Sequence, residues 1–308
     1  MCDIGHIHEI IRQTFGDKAE IQGLEIKKSL KDYQVLCLQL RAPSIKIIFK
    51  IAGPTAEMAS QFDRTAWINQ RVRHEAKVPM AEMIGNDISF RKYPFRYSLQ
   101  SFIPGIEWAR LKPILDPEEI ESAYQQIGEA IARIHGIKFN LFGEIDPTGS
   151  VQGSHYFFSE LRKRTYRNVT NLQHHAFLDR LFDKYSGLFD GLTDPCLCHE
   201  DFHKFNILFN KNQGKWQLAT ILDFEKCWAG THEIDLARLE FWNETNCSCF
   251  WEAYLSRCEL DPGYPARRPI YQLIWCLEYD QRSPEFLRET QNLCLHLGMP
   301  FREEAFGK

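Results

Sequence analysis

The chain has 308 residues, 44% of them hydrophobic and 25% charged, with a net charge of -4. That length can bury a sizeable core and suits two packed subdomains; the ordinary composition excludes disorder and collagen-like structure, and the charge leaves no footprint for nucleic acid. No apolar run reaches the eighteen or so residues that span a bilayer, and the N-terminus lacks a basic start followed by an apolar core, so a cytoplasmic protein with no membrane partner is expected.

The first element is a short amphipathic helix with Ile7, Ile10, Ile11 and Phe15 on one side, stopped at Gly16. Three alternating segments rich in Ile, Val and Leu follow, near 20–28, 32–40 and 44–51, and predict an antiparallel sheet with turns at Leu30-Lys31-Asp32 and Ala42-Pro43-Ser44. In the third, a period of two sets Ile47, Phe49 and Ile51 on one face and Lys46, Ile48 and Lys50 on the other. A helix is expected from about Ala56 to His74, and a strand from Tyr97 to Ile103 that Pro104-Gly105 breaks. The change of lobe is placed there, giving an N-terminal lobe of residues 1–104 and a C-terminal lobe of 105–308.

The clearest helix has Asp116 as N-cap, Pro117 at its first position, Glu118 and Glu119 in the first turn and Gly136 past its end. Ile120, Ala123, Tyr124, Ile127, Ala130, Ile131 and Ile134 recur at helical spacing, which makes it the central helix of the second lobe. His135 at its C-terminus reads as structural, since the helix dipole favours such a group there. Residues 151–192 are expected to be helical, and Arg162-Lys163-Arg164 with Arg167 to form a solvated basic face. After Asp235 the chain is again expected to be helical and rich in aromatic residues.

Ten cysteines are scattered along the chain and read as reduced, mostly buried thiols. Cys196 and Cys198, with Cys247 and Cys249, form two CxC pairs that would suit a four-thiolate zinc site, although structural zinc sites usually space paired cysteines more widely.

The most informative stretch is His199-Glu200-Asp201 to Asn206, an HxDxxxxN pattern, with Asp223 twenty-two residues after Asp201 in an Asp-Phe-Glu triplet. Ile207-Leu208-Phe209 and Trp216 to Leu222 read as strands flanking a turn at Asn212-Gln213-Gly214, a hairpin that returns Asp223 to Asn206. Phosphoryl transfer needs this set: a metal held on a nucleotide and a hydroxyl oriented beside the γ-phosphate. Mg²⁺ takes hard oxygen ligands, which Asp223 and the side-chain oxygen of Asn206 supply, leaving Asp201 to face the acceptor.

The chain resembles the aminoglycoside phosphotransferase and choline kinase superfamily over nearly its whole length. The resemblance is carried by IGEAIARIHGI, similar to the family's central helix; HEDFHKFN, similar to its catalytic loop; ILDFE, similar to its metal-binding segment; and HEIDLARLEFW, similar to the following helix. It implies an α+β, bilobal protein-kinase-like fold with a small antiparallel-sheet N-lobe and a larger, mainly helical C-lobe. It further implies that Asp201 accepts or orients the acceptor's hydroxyl proton, that Asn206 and Asp223 bind Mg²⁺, and that Lys50 holds the α- and β-phosphates of ATP or GTP. Ile48 would cover the base, and Gln100, Phe102 and Ile103 would form the hinge that meets the adenine. His199 would pack within the loop, and Asp235 would brace it.

Three departures stand out. Glu200 occupies a place where many members have glycine. Thr65 stands where a glutamate would pair with Lys50, leaving Asp63 and Glu57 as the acids at hand. The turn Lys27 to Asp32 over the phosphates has no glycine.

Only eleven residues separate Asp223 from Asp235, too few for a segment that docks a peptide, so a small molecule is the expected acceptor. Residues 233–308 hold thirteen acidic and eight basic side chains, a balance of -5 that would draw an amine-bearing, aminoglycoside-like acceptor. The expected function is therefore Mg²⁺-dependent transfer of a nucleotide γ-phosphate to a small-molecule hydroxyl, with antibiotic resistance as its cellular consequence. The alternatives are a metabolic kinase of choline, a sugar or an amino alcohol, a nucleotide-binding pseudokinase scaffold, and a zinc-stabilised binding module. Nothing in the sequence fixes the oligomeric state.

Overall fold

The computed structural model describes residues 3–56, 62–279 and 283–301. Helix α1 (Ile4–Phe15) is capped by Asp3, whose carboxylate accepts the Gly5 N–H, and it buries Ile7, Ile10 and Ile11. Strands β1 (Ile21–Leu30), β2 (Tyr33–Leu40) and β3 (Lys46–Ala52) follow, then helix α2 (Phe62–Arg71), β4 (Met83–Asp87) and β5 (Arg96–Ser101). The strands form one antiparallel sheet in the order β1-β2-β3-β5-β4. Its core joins the α1 isoleucines to Leu36, Leu38, Leu40, Ile47, Phe49, Ile51 and Leu99. The alternation read in β3 holds: Ile47, Phe49 and Ile51 are buried, while Lys46, Ile48 and Lys50 take the opposite face.

The helix expected from Ala56 begins, among the described residues, at Phe62, and Ala56 itself is not helical; residues 57–61, Glu57 among them, lie outside the described residues. From Arg71 it widens into a π-helical turn, Val72–Ala76, which ends at Lys77 in the left-handed region, φ 54°.

The second lobe opens with β6 (Ile106–Glu107), α3 (Trp108–Leu111) and α4 (Pro117–His135), then β7 (Phe142–Ile145), β8 (Val151–Ser154), α5 (Phe157–Asn168), α6 (His175–Tyr185) and β9 (Cys196–Cys198). It continues with β10 (Ile207–Asn212), β11 (Lys215–Ile221), β12 (Trp228–Gly230), α7 (Glu233–Phe241), α8 (Ser248–Leu255), α9 (Tyr264–Tyr279) and α10 (Pro284–His296). Helix α4 starts in a full capping box: the Asp116 carboxylate accepts the Glu119 N–H and Glu119 reaches back to the Asp116 N–H. It runs against α8 so closely that a Cβ at Gly128 would lie 2.5 Å from the Phe250 carbonyl oxygen, which only glycine permits. Around it one large core gathers α3, α5, α6, α7 and α9.

Residues 151–192 are not helical throughout. Asp146 accepts hydrogen bonds from the N–H groups of Thr148 and Ser150, and this turn folds β8 back on β7 as a hairpin before α5 begins. Nor do the CxC pairs converge. Cys196 and Cys198 are buried in β9, Cys247 and Cys249 are joined in a disulfide, and no cluster of three or more metal-ligating side chains occurs among the described residues. No described helix is long and apolar enough to cross a membrane.

Candidate active site

The loop from His199 to Asn206 leaves the end of β9 and enters β10, and Asp223 follows β11, so the β10–β11 hairpin sets the two ends of the site side by side. The Leu222 N–H donates to the Asn206 carbonyl at 2.7 Å, which fixes that juxtaposition. Asn206 donates its side-chain Nδ2 to the Asp201 carbonyl at 3.0 Å, so its amide oxygen is turned outward with no protein partner among the described residues. Asp223 sits in the left-handed region at φ 69°, ψ 55°, a conformation aspartate and asparagine tolerate better than most residues.

His199 lies between the rings of Phe202 and Phe224, with centroids at 4.3 and 4.4 Å. Its Nδ1 accepts the Asp201 N–H at 3.1 Å, so Nε2 carries the proton and donates to the Leu222 carbonyl at 2.7 Å. Burial pushes its pKa down, which keeps it neutral. Asp235, wholly buried in the first turn of α7, accepts the His199 N–H on Oδ2 and the Glu200 N–H on Oδ1, both at 2.7 Å. His135 reaches the same Oδ2 through Nε2 at 3.0 Å, and its Nδ1 meets the Tyr254 hydroxyl at 2.9 Å, so both ring nitrogens are engaged in the core.

Glu200 has φ 61°, the left-handed conformation for which glycine is the easier residue. Its carboxylate is held by Arg164, which also pairs with Glu144, donates to the Lys226 carbonyl and lies over the Trp228 ring. Arg164 is therefore buried and belongs to the scaffold of the site, in contrast to the solvated face expected of Arg162 to Arg167. Its neighbours do face outward: Lys163 pairs with Glu160 and Arg167 with Glu144.

Lys50 reaches across from β3 to Asp223 Oδ1 at 3.2 Å and Glu225 Oε1 at 2.5 Å. Its acids thus come from the Asp-Phe-Glu turn. Asp63 uses its carboxylate on the N–H of Arg64, and Arg64 in turn donates to the Glu225 carbonyl at 2.5 Å, tying α2 to that turn. Burial pushes the Lys50 pKa down, but the two carboxylates outweigh it and hold the lysine charged. Burial also raises both acids; beside Lys50, Asp223 ends below its usual range and Glu225 above it. The glycine-free turn at Lys31 and Asp32 is anchored by the Asp32 carboxylate, which accepts the N–H and hydroxyl of Thr55 at 2.7 Å.

Ile48 shares the Lys50 face and pairs with Gln100 across β3 and β5. Gln100 is buried, the Phe102 N–H donates to the Lys46 carbonyl at 3.3 Å, and the backbone groups of Ile103 have no partner among the described residues. At Asp201, Arg238 Nη1 and the Tyr279 hydroxyl each lie 3.3 Å from Oδ1. The sequence reading had no part for Glu225, Arg64, Arg164, Arg238 or Tyr279. Two carried a local signal: Glu225 stands two residues past Asp223, and Arg238 lies one helical turn past Asp235. Several of the acids from residue 233 on are paired with cations, as in Glu233 with Arg267, Glu240 with Arg268 and Glu278 with Lys226.

The lobes, the hairpin and the loop between them form a protein-kinase-like fold. A model of the phosphotransferase enzyme family matches residues 38–270, and the chain belongs to that family. A probable ketoamine kinase of Pasteurella multocida is 26% identical over 196 residues, 59% of this chain, and the match spans 65% of that relative's length. Among solved structures, a ternary complex of a thermostable mutant of the aminoglycoside phosphotransferase APH(4)-Ia with AMP-PNP and hygromycin B superposes with a TM-score of 0.66 at 15% identity, over 94% of this chain and 97% of that one. A putative fructosamine-3-kinase from Thermobifida fusca gives 0.66 at 16% identity, over 96% and 99%.

Proposed function

We propose that the protein transfers the γ-phosphate of ATP or GTP to a hydroxyl of a small, amine-bearing polyhydroxy acceptor in a Mg²⁺-dependent reaction. The observation that carries this reading is the convergence of Asp201, Asn206 and Asp223 through the Asn206 Nδ2 to Asp201 carbonyl bond and the Leu222 to Asn206 backbone bond. The outward amide oxygen of Asn206 and the Asp223 carboxylate are hard oxygen donors that fit Mg²⁺. When bound, the metal would neutralise charge on the phosphates.

The chain's own residues do the rest. Asp201 is pushed up by burial, yet Arg238 and Lys226 outweigh this and hold it below the usual carboxyl range, ready to accept a hydrogen bond from the incoming hydroxyl. Lys50 supplies positive charge from the β3 side, Ile48 an apolar cover for the base, and Gln100, Phe102 and Ile103 the hinge at the change of lobe near residue 104. His199 and Asp235 keep the loop in shape.

An amine-bearing acceptor is supported by the relatives, a probable ketoamine kinase and an aminoglycoside phosphotransferase. A cleft of about 930 Å³ lined by Glu285, Glu289 and Trp242, beside the Glu240–Arg268 pair and the loop residue Lys204, adds to it. Carboxylates beside an aromatic ring suit an ammonium-bearing sugar.

The test is transfer of labelled γ-phosphate from ATP and from GTP to a panel of ketoamines, aminoglycosides, choline, amino alcohols and sugars. Asp201→Asn should lower turnover by roughly 10²–10⁴, the usual worth of a positioned base. Unchanged turnover in the variant would remove Asp201 from the chemistry. Nucleotide binding with no transfer to any acceptor would favour the scaffold reading.

A further inference from the structure

Asp201 is approached by two donors from outside its own loop, and both land on the same oxygen. Arg238 of α7 places Nη1 3.3 Å from Oδ1, and Tyr279 at the end of α9 places its hydroxyl 3.3 Å from that same atom. Oδ2 accepts no hydrogen bond from any described residue.

Arg238 is not arranged as a structural arginine. It is only 4% exposed, its guanidinium lies 5.0 Å from the centre of the Trp275 ring, and its Nη2 is buried with no hydrogen-bond partner. Arg64, Arg164 and Arg267, the other buried arginines, each donate to a backbone carbonyl as well as to a carboxylate, although Arg64 too leaves its Nε without a partner. An arginine retained for stability is expected to spend its fork in that way, because an unfilled buried donor is costly. Arg238 differs in donating to no backbone carbonyl of a described residue: its Nη1 goes to the Asp201 carboxylate and its Nη2 has no partner.

We infer that Arg238 and Tyr279 are positioning residues for the transfer: they hold Oδ1 of Asp201 so that Oδ2 alone is presented to the acceptor hydroxyl. This rests on the role proposed above for Asp201. The reason is geometric. A carboxylate on a loop can rotate and offer either oxygen at a range of angles, and a nucleophile misplaced by an ångström loses much of its rate. Donors arriving from two different helices fix the plane of the carboxylate: Arg238 from the buried face of α7, and Tyr279 from the last residue of α9, where its ring packs on Trp275 at 4.8 Å. The side chains facing Asp201 are Arg238 and Tyr279 from those helices, Lys226 from the turn after Asp223, and His199 and His203 from its own loop.

The experiment uses Arg238→Met, Arg238→Lys and Tyr279→Phe beside Asp201→Asn in the full chain. It follows nucleotide hydrolysis, in which water is the acceptor and no substrate need be known, with thermal unfolding of each variant. Arg238→Met should lower kcat roughly a hundredfold and Tyr279→Phe roughly tenfold, the scale of a displaced reacting group, with KM for the nucleotide within about twofold. Added guanidinium at low millimolar concentration should restore part of the Arg238→Met rate, and Arg238→Lys should fall between wild type and Met. If Asp201→Asn is inactive while Arg238→Met keeps its kcat, the positioning role is overturned and the Asp201 reading stands. If kcat and melting temperature fall together in Met and Lys alike, with no guanidinium rescue, Arg238 is structural and the inference fails. If Asp201→Asn itself hydrolyses nucleotide at the wild-type rate, the underlying reading fails and takes the inference with it.

Discussion

Replacing Asp235 by asparagine should cost this protein much of its stability, although the two side chains have nearly the same shape. Asp235 is wholly buried, and its two oxygens take three donors: the N–H groups of His199 and Glu200 at 2.7 Å and His135 Nε2 at 3.0 Å. An asparagine keeps one accepting oxygen and turns an NH₂ toward a donor that formerly met a carboxylate. Charge-assisted bonds worth about 1.5–3 kcal/mol each become neutral or are lost, and one buried donor is left unpaired at about 1–3 kcal/mol, so the expected loss is roughly 3–5 kcal/mol. Against a domain stability of about 5–15 kcal/mol this is a large fraction.

The measurement is urea unfolding of wild type and Asp235→Asn at pH 7.5, followed by far-ultraviolet circular dichroism. The pH dependence supplies an internal check. Burial raises the Asp235 carboxyl, but His135 and the other donors outweigh this and hold its folded pKa below the usual range. Its contribution is therefore complete at neutral pH and is lost as pH falls through the folded value, so the gap between the two proteins should narrow in acid. A difference below about 1 kcal/mol at pH 7.5 would refute the claim that this carboxylate holds the loop from His199 to Asn206, since a single neutral hydrogen bond is worth that much.

Two further outcomes are expected. Glu200→Gly relieves the left-handed backbone, worth about 1 kcal/mol, but removes one of the two carboxylates on the buried guanidinium of Arg164, a charge-assisted bond worth about 1.5–3 kcal/mol, and leaves Glu144 as the other; net destabilisation is expected, and a gain in unfolding midpoint would show that Arg164 does not depend on this partner. His232 is half-buried and its pKa is pushed down to about 3, chiefly by desolvation, so the unfolded chain takes up a proton that the folded one refuses, and stability should rise with pH between about 3 and 6.5. Between pH 5.0 and 7.5 this one group accounts for roughly 2 kcal/mol, and His232→Gln should flatten the pH dependence of urea unfolding by about that amount.

Much of the site was legible because its parts are local. The HxDxxxxN spacing, the turn at Gln213 and Gly214 and the alternation of β3 each depend on residues only a few positions apart, and backbone geometry converts such spacing directly into position. The capping box that starts α4 is read in the same way. The hairpin after Asp146 was missed because its signal lies in one aspartate serving as a turn cap, which the helical composition of the following segment masked.

The sequence by itself determined the fold class, the loop that carries Asp201 and Asn206 and the return of Asp223 beside them, because helical and strand periods and turn chemistry act over short separations. Only the tertiary structure decided which charges meet: Lys50 with Glu225 rather than an acid of α2, Arg164 with Glu200, Arg238 and Tyr279 with Asp201. These pairs join residues from 36 to 175 positions apart. Coulomb attraction is indifferent to sequence separation, so no local pattern records such a pair, and packing of the two lobes and of α5, α7 and α9 around the loop is what brings the partners within reach.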